Sequence, residues 1–181
     1  MCDHDNQEPP MSLEAGYESN LNQCSIIEQQ AMLVALSEAM RAFAQQEVPI
    51  GAAILYQGQL IAQAANRVEQ QQQASAHAEM LCLKEAARKI GNWRLKDAVL
   101  ISTLEPCAMC WGAIHLYRVK KLIFGARDFK HGFYSAIHPG SPKYPNHTIE
   151  VVGDVMAKPA KALMQAFFRL RRSRNIKGGN E

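Results

Sequence analysis

Apolar side chains recur at three- and four-residue steps between residues 25 and 47. Leu33, Leu36, Met40 and Phe43 mark one stripe of a helix that Pro49 ends. Residues 51–56 form a short apolar run, Gln57-Gly58 a turn, and residues 59–65 a return run, which predicts a hairpin. Residues 75–89 predict a second helix, with Ser75 as N-cap and Gly91 just past its end. Residues 99–104 read as a buried strand, 107–117 as a helix entered after Pro106, and 121–125 as another strand. Residues 148–153 predict a last strand. Residues 158–172 predict a last helix, with Pro159 in its first turn and Ala160, Leu163, Phe167 and Leu170 as its buried stripe. The glutamine tract at 70–73 reads as a loop. Residues 128–147, which hold Gly132, Pro139, Gly140, Pro142 and Pro145, read as a long one of the kind that tends to be functional. The order α-β-β-α-β-α-β-β-α fits an α/β sandwich with helices covering a mixed five-stranded sheet.

Composition adds limits to this picture. A chain of 181 residues, 48% apolar and 20% charged, fits one globular domain and excludes a fibre or bulk disorder. Its apolar runs are far shorter than the ~20 residues that cross a bilayer, and no basic, apolar leader opens the chain, so a cytoplasmic protein without a membrane span is expected. Residues 1–24 are polar and acidic, and read as a disordered tail before a domain at 25–175 and a flexible end at 176–181. Residues 1–30 hold six acids and no Lys or Arg, and the remainder holds twenty basic and eleven acidic residues. A body at +9 beside an acidic tail fits a polyanionic partner, and equally an ordinary solubilising surface. Five cysteines, an odd number, point to metal or packing and not to a disulfide framework.

The chemistry gathers in three segments. His77-Ala78-Glu79 stands at a helix start, and Pro106-Cys107-Ala108-Met109-Cys110 at a strand-to-helix join. Asn66 ends the second hairpin strand. Cysteines three apart on a first helical turn share a face, and a helix N-terminus favours thiolates. With His77 they supply three tetrahedral zinc positions and leave one for water, the pattern of a catalytic site. Glu79, unligated beside that water, would carry its proton. A closed structural zinc is the alternative. It needs a fourth ligand from Cys82, His115, His131, His138 or His147.

The arrangement H-x-E followed by P-C-x-x-C resembles the zinc nucleobase deaminases, and the longer motifs resemble their tRNA adenosine deaminase branch. The matching stretches are Val48-Pro49-Ile50-Gly51-Ala52, Asn66-Arg67, His77-Ala78-Glu79 and Thr103-Leu104-Glu105-Pro106-Cys107-Ala108-Met109-Cys110. Phe124-Gly125-Ala126-Arg127-Asp128, Lys130, Gly132, Phe167-Phe168 and Arg171-Arg172 follow. The resemblance implies a cytidine deaminase-like three-layer α/β/α sandwich. It implies hydrolytic conversion of adenosine to inosine at the wobble position of a tRNA anticodon stem-loop. It further implies one zinc ion per subunit on His77, Cys107 and Cys110 with water as fourth ligand, Glu79 as the catalytic proton carrier, and a homodimer. Asn66 matches the residue that hydrogen-bonds the purine and Leu104 a pocket wall.

On the last helix, Lys161, Arg169 and Arg172 share a face apart from the apolar stripe, with Phe168 between. That suits phosphate contact plus base stacking, and Lys130 and His131 in the long loop could also reach RNA. Two segments depart from the family pattern: Gln73-Ala74-Ser75-Ala76 before the zinc histidine, and Ser141-Pro142-Lys143-Tyr144-Pro145 in the long loop. Two rivals remain. A free guanine or cytosine deaminase would share the zinc chemistry without needing the arginine-rich helix. A non-catalytic RNA-binding module would have no use for Glu79.

Overall fold

The computed structural model describes residues 20–133 and 147–177. Its centre is a five-stranded sheet built from β1 (Gly51–Tyr56), β2 (Gln59–Ala65), β3 (Ala98–Leu104), β4 (Lys121–Ala126) and β5 (Glu150–Val152), in the order β2-β1-β3-β4-β5. β1 pairs antiparallel with β2 and β3, while β3, β4 and β5 run parallel, so the sheet is mixed as expected. The helices are α1 (Ile26–Ala44), α2 (Val68–Gln71), α3 (Ala78–Ile90), α4 (Ala108–Leu116) and α5 (Ala157–Lys177). Alternation along the strands divides the core. Ile54, Leu100, Leu122 and Phe124 pack with residues of α3 and α4 on one face. Leu55, Ile101 and Ile123 pack with α1 and α5 on the other, completing the three layers.

The chain is ordered before the expected helix start. Asn20–Gln23 form a 3-10 turn, the Asn20 amide donates to the Gly153 carbonyl at 2.9 Å, and Cys24 is buried. Ser25 and Glu28 then close a reciprocal capping box at the start of α1.

The core face of α1 differs from the periodicity reading. Leu36 is buried, but Leu33 and Met40 are 56% and 55% exposed. The buried face is Ala31, Met32, Ala35, Glu38, Ala39 and Ala42. Close approach explains the difference. A Cβ on Gly51 of β1 would meet the Ala35 carbonyl oxygen and lie 2.5 Å from the Ala39 nitrogen. A leucine face could not come so near. Leu170 of α5 is likewise exposed, at 49%, whereas Ala160 and Phe167 of the same expected stripe are buried. α5 meets α1 through an edge-to-face pair of Phe43 and Phe167, 6.0 Å apart.

Two local readings change as well. The glutamine tract is partly helical: α2 ends with Gln72 in the left-handed region at φ +49°. α3 is capped by His77, two residues after Ser75, and ends at Gly91 with φ +70°. No helix among the described residues is long and apolar enough to cross a membrane.

Candidate metal and deaminase site

Two helix N-termini converge at the end of β3. His77 is the N-cap of α3 and Cys107 the N-cap of α4. Both have extended backbones and neither side chain makes a capping hydrogen bond. A serine at either position would be a better cap. The capping role is left unfilled, and both side chains turn to each other. His77 Nδ1 lies 3.7 Å from Cys107 Sγ and 3.5 Å from Cys110 Sγ. One ligand atom from each of the three residues lies within 4.8 Å of the others, and among the described residues this is the one such group. β3 brings the cysteines here because its parallel neighbour β4 fixes its C-terminal end, with Leu104 paired to Ala126.

The electrostatics suit a cation. The Cys110 thiol donates to Cys107, and with a further hydrogen bond from His77 this draws the Cys107 pKa down to about 4. The same shared proton, with burial, holds the Cys110 thiol far above its ordinary range. The hydrogen bond to Cys107 also raises the His77 imidazole. These donors share protons that a zinc ion would displace, holding them as thiolates and neutral imidazole.

Glu79 is 3% exposed, and its burial raises the carboxyl above the usual range. Ser102 Oγ on β3 donates to Oε1 at 3.4 Å, while Oε2 is buried without a hydrogen-bond partner among the described residues. A buried carboxylate oxygen with no partner needs a ligand-borne one. The donor set and this orphan oxygen together fit a catalytic zinc ion with open coordination.

The alternative fourth ligands do not join the group. Cys82 donates to the Ala52 carbonyl at 3.3 Å inside the core. His115 and His147 lie edge-to-face with ring centroids 6.1 Å apart, and His131 is paired with Asp128 on the surface. His138 lies outside the described residues, as do the 141–145 stretch, the 1–19 tail and residues 178–181.

The other expected residues surround the group at different removes. Asn66 is buried at the end of β2, and the Arg67 N–H donates to the Ala76 carbonyl at 3.0 Å, which ties that end to the chain entering His77. Leu104 is half-buried at the end of β3. Lys130 is exposed on a turn built by Asp128, whose Oδ1 accepts the N–H groups of Lys130 and His131 at 3.0 Å. A bridge between Cys107 and Gly132 sets this turn beside the three-residue group. Phe168 and Arg172 are exposed on α5, as are Lys161 and Arg169. They do not touch the three-residue group. α5 is nonetheless brought to the same loop, since Arg171 lies 3.9 Å from Glu69 of α2.

Three buried polar residues near the site have partners that the sequence does not show. Ser102 holds Glu79. The Glu105 carboxylate accepts the Asp128 N–H at 3.1 Å. The Glu47 carboxylate accepts from Asn66 at 3.1 Å. Ser102 alternates correctly for one strand face, but nothing in the pattern shows what it meets.

The profile of the cytidine and deoxycytidylate deaminase zinc-binding region matches residues 25–126. The chain is 44% identical over 139 residues to the tRNA-specific adenosine deaminase of Bacillus subtilis (strain 168), covering 76% of this chain and 86% of that one. A solved structure from work on A-to-I editing by tRNA:A34 deaminases at the wobble position aligns with TM-score 0.67 and 34% identity, over 74% of this chain and 98% of that one. A guanine deaminase structure from Nitrosomonas europaea aligns with TM-score 0.65 and 26% identity, over 77% and 83%. With its His-x-Glu and Cys-x-x-Cys segments brought together so that His77, Cys107 and Cys110 form one group, the chain belongs to the tRNA-specific adenosine deaminases, within the cytidine and deoxycytidylate deaminase zinc-binding family.

Proposed function

We propose that the protein hydrolyses adenosine to inosine and ammonia at the wobble position of tRNA anticodons. The observation that carries this reading is the His77, Cys107 and Cys110 donor group beside a buried Glu79 whose Oε2 is unsatisfied. Those three residues would hold one zinc ion per subunit, with water as its fourth ligand. Bound there, zinc supplies the Lewis acidity that makes water nucleophilic near neutral pH. Glu79 takes a proton from the water that attacks C6 and delivers it to ring N1. It then carries the second proton to the departing amine. Burial, which raises its carboxyl, suits a group that must both accept and release a proton. Ser102 fixes Oε1, which leaves Oε2 for this work.

Asn66 hydrogen-bonds the purine and Leu104 lines its pocket. Lys130 and the α5 residues Phe168 and Arg172 contact the anticodon loop, with cations on phosphates and the exposed ring on a base. The approach of Arg171 to Glu69 supports this, because it sets the basic helix near the loop that follows Asn66. A homodimer belongs to the same reading. Met109 and Leu116, seven residues apart on α4, are 39% and 67% exposed, an apolar stripe suited to a subunit seam. A cytoplasmic location belongs to the same reading.

The test is inosine formation on an anticodon stem-loop with adenosine at the wobble position, run beside free adenine, guanine and cytosine. Conversion of the stem-loop alone is expected. Conversion of guanine or cytosine alone would overturn the RNA reading in favour of a free-base deaminase.

A further inference from the structure

Glu47 is one of the most deeply buried charged residues described, 1% exposed, and the proposed chemistry gives it no task. It follows the end of α1. Gln46 takes the left-handed conformation at φ +63°, and the Glu47 N–H returns to the Ala42 carbonyl at 2.9 Å, so the chain reverses there. The carboxylate then makes three hydrogen bonds to one short stretch. Oε1 accepts the Gln70 N–H at 2.8 Å, and Oε2 accepts the Asn66 side-chain Nδ2 at 3.1 Å and the Glu69 N–H at 3.3 Å. Arg67, the N-cap of α2, makes no side-chain cap of its own. Glu47 therefore performs that role from 20 residues away in sequence, and its Oε2 also holds the amide of Asn66.

A carboxylate only accepts hydrogen bonds, whereas an amide can turn either edge towards a neutral partner. Facing Glu47, Asn66 must turn its NH2 inward. One N–H is spent on Glu47, and the second N–H and Oδ1 are left in one fixed arrangement. Adenine discriminates between these edges: its ring nitrogens accept and its 6-amine donates. The backbone of Asn66 is fixed too, by its N–H on the Ile50 carbonyl at 2.9 Å, so the side-chain amide is the remaining freedom.

We infer that Glu47 is a positioning residue for purine recognition, acting through Asn66. It fixes which edge of the amide meets the base and locks that edge to the α2 loop leading to His77. The inference rests on the reading that Asn66 contacts the purine. It goes beyond that reading in assigning the orientation to a residue that never touches substrate.

A double-mutant cycle separates this from a merely structural role. Wild type, Glu47→Gln, Asn66→Ala and the double variant are compared in kcat/KM on the stem-loop. Affinity is measured for a stem-loop carrying purine riboside, which lacks the 6-amine, at the wobble position. Zinc content is recorded for all four. Glu47→Gln is expected to cost about tenfold or more in both kcat/KM and affinity, with zinc unchanged. In the Asn66→Ala background the same substitution is expected to cost less than about twofold, because nothing is left to orient. Multiplying costs, or loss of zinc with Glu47→Gln, would overturn the inference. Should Glu47→Gln not fold, Glu47→Asp carries the cycle, since it keeps the charge and withdraws it by one methylene. If wild type converts a free base and not the stem-loop, the functional reading fails. The cycle is then run on that base and still decides the role of Glu47.

Discussion

Replacing Glu79 by glutamine separates fold and metal from chemistry. The glutamine has nearly the same volume, and its carbonyl can keep the hydrogen bond from Ser102 that now measures 3.4 Å. Nothing in the His77, Cys107 and Cys110 group is removed. Stability is therefore expected to change by about 1 kcal/mol or less, or about 2–4 °C in Tm for a chain of this size. The amide cannot take a proton. Each positioned proton transfer contributes about 10²–10⁴ in rate, and this carboxylate is asked for two. Ser102, the hydroxyl bonded to it, cannot serve as a base near neutral pH. Inosine formation should fall by at least about 10³, or about 4 kcal/mol of barrier. The assay is single-turnover conversion of the stem-loop, run beside zinc content by mass spectrometry and stem-loop affinity by fluorescence anisotropy. Turnover within tenfold of wild type, with zinc retained, would refute the role given to Glu79.

Four further outcomes are expected. Cys107→Ala should lose bound zinc on dialysis, and an unchanged metal content would remove this residue from the ligand set. Gly51→Ala forces a methyl group to within 2.5 Å of the Ala39 backbone nitrogen, and should cost about 2–3 kcal/mol and lower Tm by about 5–10 °C; an unchanged melt would contradict the close packing of α1 on β1. Joint replacement of Arg169, Arg171 and Arg172 by glutamine should flatten the salt dependence of stem-loop binding by about 2 in log–log slope, roughly 0.7 per lost phosphate contact, and an unchanged slope would take α5 out of the interface. His115 titrates at about 4 because burial disfavours its charge, helped by His147. Its folded pKa lies below the unfolded value, so the unfolded chain binds the proton first. Stability should therefore drop as pH falls from 6.5 towards 4, and drop less in His115→Phe; equal losses in thermal melts across that range would exclude the histidine.

The strands and the metal group are the parts a reader of the bare chain can reach. The hairpin, β3 and β4 announce themselves because apolar runs bounded by turn residues have few other uses. His77, Cys107 and Cys110 announce themselves because ligand chemistry admits few residue types. The α1 face misleads for a physical reason. Periodicity weights leucine and methionine above alanine, but the distance from α1 to Gly51 is set by the smallest side chains. Ser75 misleads for another: it is the better cap, yet the helix begins where the histidine must face the cysteines. Nothing local shows what Glu47 and Glu105 meet. Their partners include backbone N–H groups about 23 residues away, for Glu47 those of Glu69 and Gln70 and for Glu105 that of Asp128, and only the folded chain brings them together.

The alanine face that α1 lays on Gly51 and Ala53 also sets the terms on which this chain can change. Substitution along that seam runs in one direction only, since no residue there except glycine is smaller than those already present. Any enlargement pushes β1, and Gly51 is tied by its N–H to the Thr103 hydroxyl at 3.1 Å, four residues before Cys107. An added methyl on the α1 face of the sheet therefore has a short path, through Gly51 and Thr103, to Cys107. Exposed positions in the turns that follow Asn66 and Asp128 carry no such packing limit, so changes there leave the spacing of His77, Cys107 and Cys110 untouched.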